Sequence, residues 1–126
     1  MRTPKTLFNC SKASFSISLA PYAGRLVVAT TREEYCRIFD RWYSGNHKLD
    51  LEQPGECMDY IDSKGRFRVL IYSATMSALV HELGHIVSYV FKHCGVRHSL
   101  TNDEPFCYFL QHLFDEIVKR GKIKLP

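Results

Sequence analysis

The chain has 126 residues, the size of one ordinary domain, and 45% of them are hydrophobic, which is too much for a disordered segment and enough for one small core. Its net charge of +4 is mild and spread along the chain, so neither composition nor charge points to a nucleic-acid or anionic-membrane partner. The five cysteines (Cys10, Cys36, Cys57, Cys94 and Cys107) are odd in number and contain no CxxC pair, which excludes a disulfide scaffold. They point to a reducing, cytoplasmic setting in which the thiols act as small core hydrophobes.

Residues 1–13 read as an irregular or extended lead-in. The apolar run after Arg2 and Lys5 is broken by Asn9, Ser11 and Lys12, which makes a poor signal peptide. No stretch approaches the roughly 20 apolar residues that span a bilayer. From residue 14 to 19, Phe15, Ile17 and Leu19 alternate with serines, the period of a strand with one buried face. Pro21 and Gly24 mark a turn, and residues 25–29 (RLVVA) form a second β-branched strand.

Thr31, three residues before Glu34, opens a helix with a capping box, and Tyr35, Ile38, Phe39 and Trp42 give it one apolar stripe. Gly45 stops it, and residues 46–55 are a polar loop suited to bordering a cleft. Residues 56–61 and 66–72 form a hairpin around the turn 62–65, with Gly65 placed for positive φ. Phe67, Val69 and Ile71 alternate with Arg66, Arg68 and Leu70, so the second strand is expected to be half buried. Ser73 or Thr75 caps the next helix, about 74–94, with Gly95 at its C-terminal end. After a turn-like stretch, Asn102 or Asp103 caps a last helix that tolerates Pro105 in its first turn and runs to about Arg120. The basic cluster of Lys119, Arg120, Lys122 and Lys124 reads as a solvated end.

The chemistry lies in His81-Glu82-Leu83-Gly84-His85. Histidines four apart on a helix share one face, one turn apart, and can reach a single metal at about 2.0–2.1 Å. Glu82 points to the side of that pair, where a carboxylate can hold the activated water and take its proton. A zinc ion lowers the pKa of its water to about 7, so order, spacing and residue type all fit hydrolysis at neutral pH. Ala78, Leu79, Leu83, Ile86, Val87 and Val90 surround the motif, which makes a largely buried helix the expectation and leaves little wet face for plain surface histidines. Gly84 costs roughly 1 kcal/mol against Ala in a helix, which suggests that another element packs closely there.

A catalytic zinc takes three protein ligands and one open position. Glu104 lies 19 positions after His85 (104 − 85), enough for the helix to end and a second to return antiparallel. Asp103 and His98 are the alternatives; His93 is two turns past His85 on the same helix, too far along it. A carboxylate at a helix N-terminus is also favoured by the dipole alone, and the two roles are compatible. Tyr108, one turn after Glu104, is a candidate oxyanion donor as well as an ordinary core aromatic. His112 is a candidate supporting histidine. Cys94 and Cys107 lack the spacing of a cysteine-rich zinc site and are expected in the core.

HELGH at 81–85 followed by Glu104 on a second helix resembles the gluzincin branch of the zincin metallopeptidases. The resemblance implies His81, His85 and Glu104 as zinc ligands and Glu82 as general base. The longer metzincin pattern is absent, since Ser88 and Phe91 stand where it has glycine and histidine. The strand at 66–72 resembles the zincin edge strand along which an extended peptide lies. Residues 102–114 (NDEPFCYFLQHLF) also resemble small phage-encoded HExxH proteins.

The resemblance thus implies an α+β fold: one minimal zincin-like domain over 1–126, with its zinc-site core at about 56–120. A small antiparallel or mixed sheet would pack on the HExxH helix, with a C-terminal ligand helix and one N-terminal helix. The implied function is a zinc-dependent hydrolase, a small metallopeptidase acting on a peptide or protein substrate, with one Zn2+ per chain, Glu82 and Tyr108 catalytic, and a cytoplasmic location (the host cytoplasm for a phage protein). The short region before the motif leaves little for a substrate-selecting lobe, so a non-catalytic protein-binding factor with a structural zinc is the second reading. A helical nucleic-acid-binding module, suggested only by the basic tail and a pI near 8.8, is the third.

Overall fold

The computed structural model describes residues 6–43, 53–97, 99, 101 and 103–125. The two serine-alternating and β-branched segments form β1 (Ser14–Ser18) and β2 (Arg25–Ala29), an antiparallel pair in the register Phe15 to Val28 and Ile17 to Leu26. Helix α1 (Arg32–Tyr43) follows, and the Thr31 hydroxyl accepts from the Glu34 amide at 3.1 Å. The carboxylate of Glu34 pairs with Arg37 one turn on. Gly45 and most of the expected loop lie outside the described residues.

The hairpin is β3 (Gly55–Ile61) and β4 (Phe67–Ser73), closed by the Asp62 carboxylate, which accepts from the Lys64 and Arg66 amides, and by Gly65 at φ 77°. β4 also pairs with β2, in parallel, giving a four-stranded mixed sheet in the order β1-β2-β4-β3.

That order corrects two expectations about β4. It is a central strand, and the strand on that side of the sheet's edge is β3. It is also buried on both faces: Phe67, Val69 and Ile71 point into the core beneath α2 and α3, while Leu70 and Tyr72 pack with Tyr35 and Ile38 of α1. The alternation with Arg66 and Arg68 suggested a wet face because it was read without α1, which covers it.

On the other side of the sheet lie α2 (Met76–Cys94) and α3 (Glu104–Arg120). α2 packs on β3 and β4, and α3 lies beside α2 and reaches β1. Thr75 caps α2 by accepting from the Ala78 amide at 3.1 Å, and Gly95 at φ 73° closes it, with the Val96 amide bonding back to the Phe91 carbonyl. α3 is less sharply begun: Asp103 stands at its N-cap without a side-chain cap bond, and Asn102 lies outside the described residues. Gly121 ends α3 at a negative φ; a Cβ there would come within 2.6 Å of Phe8, so glycine is needed for close approach. The basic cluster around it is not simply solvated, because Ile123 is buried and Arg120, the last residue of α3, donates to the Ser16 carbonyl.

Leu79, Leu83, Ile86 and Val90 of α2 and Leu113 and Ile117 of α3 are fully buried in this core, each worth about 1.5–3 kcal/mol of hydrophobic stabilisation. Among the described residues no helix is long and apolar enough to cross a membrane.

Candidate metal centre and its cleft

α2 keeps more of a wet face than its apolar composition suggests. Ser77, Val80, His81, His85, Ser88 and Lys92 are exposed at helical spacing, while the opposite face fills the core. Both motif histidines are therefore accessible to solvent. Glu82 is not: turned about 100° from His81 toward the sheet, it is only 8% exposed. Gly84 meets nothing within 4 Å of an added Cβ, so the close packing expected of it does not occur, and its carbonyl accepts from the Ser88 hydroxyl.

The two imidazoles converge. Their Nε2 atoms are 3.3 Å apart, with the rings at 77°. Two nitrogens bound to one tetrahedral ion at about 2.0–2.1 Å stand about 3.3–3.4 Å apart, so the pair has the bite that zinc requires. The same distance also suits a long N–H···N contact between a donor and an acceptor imidazole. Tyr89, one turn further on, stacks at 20° on His85.

Beside the pair is a cleft of about 290 Å3 lined by Gln53, Pro54, Gly55, Ser77, Ala78, His81 and Glu82. One wall is the first turns of α2 and the other is the chain entering β3. Gly55 makes the two fit: a Cβ on it would lie 3.0 Å from the Tyr72 carbonyl oxygen and 3.1 Å from Cγ of Glu82. Two residues further along β3, Cys57 packs against the core to which Leu83 and Ile86 of α2 belong. Burial, then the Glu82 carboxylate, pushes the Cys57 thiol up. Burial, then the neighbouring Cys57, pushes the Tyr89 hydroxyl up to about 12. Both groups are thus protonated at neutral pH.

The other expected site residues are placed elsewhere. Among the described residues no group of three or more His, Cys, Asp or Glu side chains is assembled to hold a metal, so neither Glu104 nor Asp103 is brought to the histidine pair. Both are exposed at the start of α3, and His98 lies outside the described residues. Tyr108 is 68% exposed and lines a different cleft, about 420 Å3, with Ala20, Pro21, Tyr22, Pro105, Phe109 and His112. His93 stacks on Phe67 at 4.1 Å between ring centres. Cys94 and Cys107 are exposed, against the expectation of core positions, because each falls on the outer face of its helix.

Gly55, Cys57 and Tyr89 were not anticipated from the sequence. Tyr89 carried a signal, being four residues past His85. The β3 pair carried none until the strand was laid against α2. No protein-family model, curated protein or solved structure matches the chain.

Proposed function

We propose that the chain is a zinc-dependent hydrolase, a small metallopeptidase of the zincin type that acts on a peptide or protein in the cytoplasm. The observation that carries this reading is the 3.3 Å approach of the His81 and His85 Nε2 atoms directly beside a buried glutamate at a cleft. Zinc bound by the pair would supply Lewis acidity toward a carbonyl and a lowered pKa for water. Glu82 takes a proton from the attacking water and returns it to the leaving amine nitrogen. Its burial limits competing solvent contacts, and the cleft between residues 53–55 and α2 admits an extended chain. β3, an outer strand that begins at that cleft, can take such a chain alongside it by strand addition. The third ligand is assigned among Glu104, Asp103 and His98, with Glu104 first by its likeness to the gluzincin pattern. Tyr108 has no part in this reading, since it borders the other cleft. The five free thiols accord with the cytoplasmic assignment.

The test is elemental analysis of the purified protein after reconstitution with zinc, beside Glu104→Ala and Glu82→Gln, followed by cleavage of a quenched fluorescent peptide library. About one zinc per chain, weakened in Glu104→Ala and kept in Glu82→Gln, with cleavage lost in Glu82→Gln, is the expected result. A protein that takes up no zinc would end the reading. The exposure of both histidines and the open cleft favour one alternative, a non-catalytic protein-binding factor with a structural zinc. It requires zinc in both proteins, with no cleavage by either.

A further inference from the structure

Among the described residues none of α1 lines the cleft beside the histidine pair, yet one α1 side chain holds a wall of it. Arg32 stands at the first position of α1, just after the Thr31 cap. A cation there sits against the helix dipole, which favours the carboxylates of Glu33 and Glu34 in that turn. What Arg32 gains lies outside its own helix. Its guanidinium lies over the Tyr72 ring, 5.4 Å from the ring centre, and Nη2 donates to the Gln53 carbonyl, 21 residues away. Tyr72 packs with Tyr35 and Ile38, so this contact is made on the face of the sheet that α1 covers. From the other side, Gln53, Pro54 and Gly55 line the cleft opposite Ser77, Ala78 and Glu82 of α2.

The same short segment is fixed at two more points. The Pro54 carbonyl accepts from the Ala74 amide at 2.7 Å. Gly55 lies so close to α2 that a Cβ on it would come within 3.1 Å of Cγ of Glu82 and 3.4 Å of Cβ of Ala78. Contact at Gly55 stops the wall from moving inward, and the bonds from Arg32 and Ala74 stop it from moving outward. We propose that Arg32 is a positioning residue for this cleft: by holding the Gln53 carbonyl from the α1 face of the sheet, it sets how far the wall at 53–55 stands from α2. An arginine suits the place because its planar guanidinium can lie face-on to a ring while donating in its own plane, which a lysine ammonium cannot do. Its charge also makes the bond to the carbonyl roughly twice as strong as one from a neutral donor. The hold on the wall stands on these contacts alone; its effect on a substrate rests on the hydrolase reading.

Amide hydrogen exchange followed by NMR tests the hold without any substrate, because the Ala74 amide is bonded to the wall itself. In Arg32→Ala that amide should exchange about tenfold faster or more, the scale of one hydrogen bond from a charged donor. The Leu79 amide, bonded to the Thr75 carbonyl at the head of α2, should keep its rate. Arg37→Ala removes another arginine of α1, one paired with Glu34, and should change neither. Arg32→Lys keeps the charge without the planar fork; it should also quicken Ala74, and it repeats the test should Arg32→Ala not fold. An Ala74 amide that keeps its wild-type rate, or quickens equally in Arg37→Ala, overturns the proposal, whatever the zinc content. Zinc measured on the same samples reports separately on the hydrolase reading. In the peptide-library assay, Arg32→Ala should raise KM roughly three- to tenfold with kcat and zinc content unchanged, as expected of a residue that shapes binding and leaves the chemistry alone. An Arg32→Ala protein with wild-type KM would overturn the positioning role.

Discussion

α2 sets His81, His85 and Tyr89 at four-residue intervals, and α3 sets Glu104, Tyr108 and His112 at the same intervals, yet the two stripes have different surroundings. On α2 the stripe runs beside the edge of the sheet. The residue next to it, Glu82, is driven under β3, and the two imidazoles meet at 3.3 Å. On α3 the stripe faces outward, where Tyr108 and His112 border an apolar hollow walled by Pro21, Tyr22 and Phe109. Tyr22 fills the space between the helices there, with its ring against Phe91 and Phe109. Helical spacing puts side chains on one face; the neighbouring element decides whether that face holds a converging histidine pair beside a buried carboxylate or borders an apolar hollow.

The comparison can be broken most directly by metal binding. His81→Ala with His85→Ala should abolish stoichiometric zinc uptake, while Tyr108→Ala with His112→Ala should leave it intact. Elemental analysis and calorimetric titration with zinc read both, and equal losses would mean that Tyr108 and His112 belong to the site. Next in size is the core. Leu83 of α2 and Leu113 of α3 are both fully buried, so Leu→Ala at either should cost about 2–5 kcal/mol in urea unfolding. Similar losses would show that the helices differ in chemistry and not in structural weight.

Two glycines sharpen the contrast with opposite signs. Gly55→Ala crowds the Tyr72 carbonyl and Glu82, and should destabilise by about 1–3 kcal/mol. Gly84→Ala meets open space inside a helix, and should stabilise by up to about 1 kcal/mol. Thermal unfolding of the pair checks both signs.

The smallest effect concerns the turn that joins β3 to β4, at the far end of β3 from the cleft. The backbone amide of Arg66, helped by its guanidinium and the Lys64 amide, holds the Asp62 carboxyl below its usual range. A lowered folded pKa favours the charged form. Its contribution is therefore present above about pH 4, the unfolded carboxylate value, and is lost as pH falls through the folded one. Asp62→Asn should flatten that part of the acid limb in a stability-against-pH series. An unchanged limb would exclude Asp62 as a contributor.

Much of the local structure was legible because it depends on neighbours in sequence. The alternation at Phe15 and Ile17, the hairpin turn with Gly65, the Thr75 cap and the left-handed Gly95 were all read from a few adjacent residues. So was the shared face of His81 and His85. The role of β4 was not: Arg66 and Arg68 signal a half-wet strand, and only the placement of α1 over Leu70 and Tyr72 makes the strand buried on both faces. The same blindness put Cys94 and Cys107 in the core and Tyr108 beside the histidine pair.

The chain by itself determined the order of elements, the helix ends and the i, i+4 pairing of the two histidines, because backbone periodicity and capping bonds act within a few residues. Tertiary structure decided which strand lies outermost, which way Glu82 is buried, and that Gly55 meets it. Those outcomes depend on how apolar faces far apart in sequence find mutual cover, and a strand does not carry in its own residues the identity of what will be packed against it.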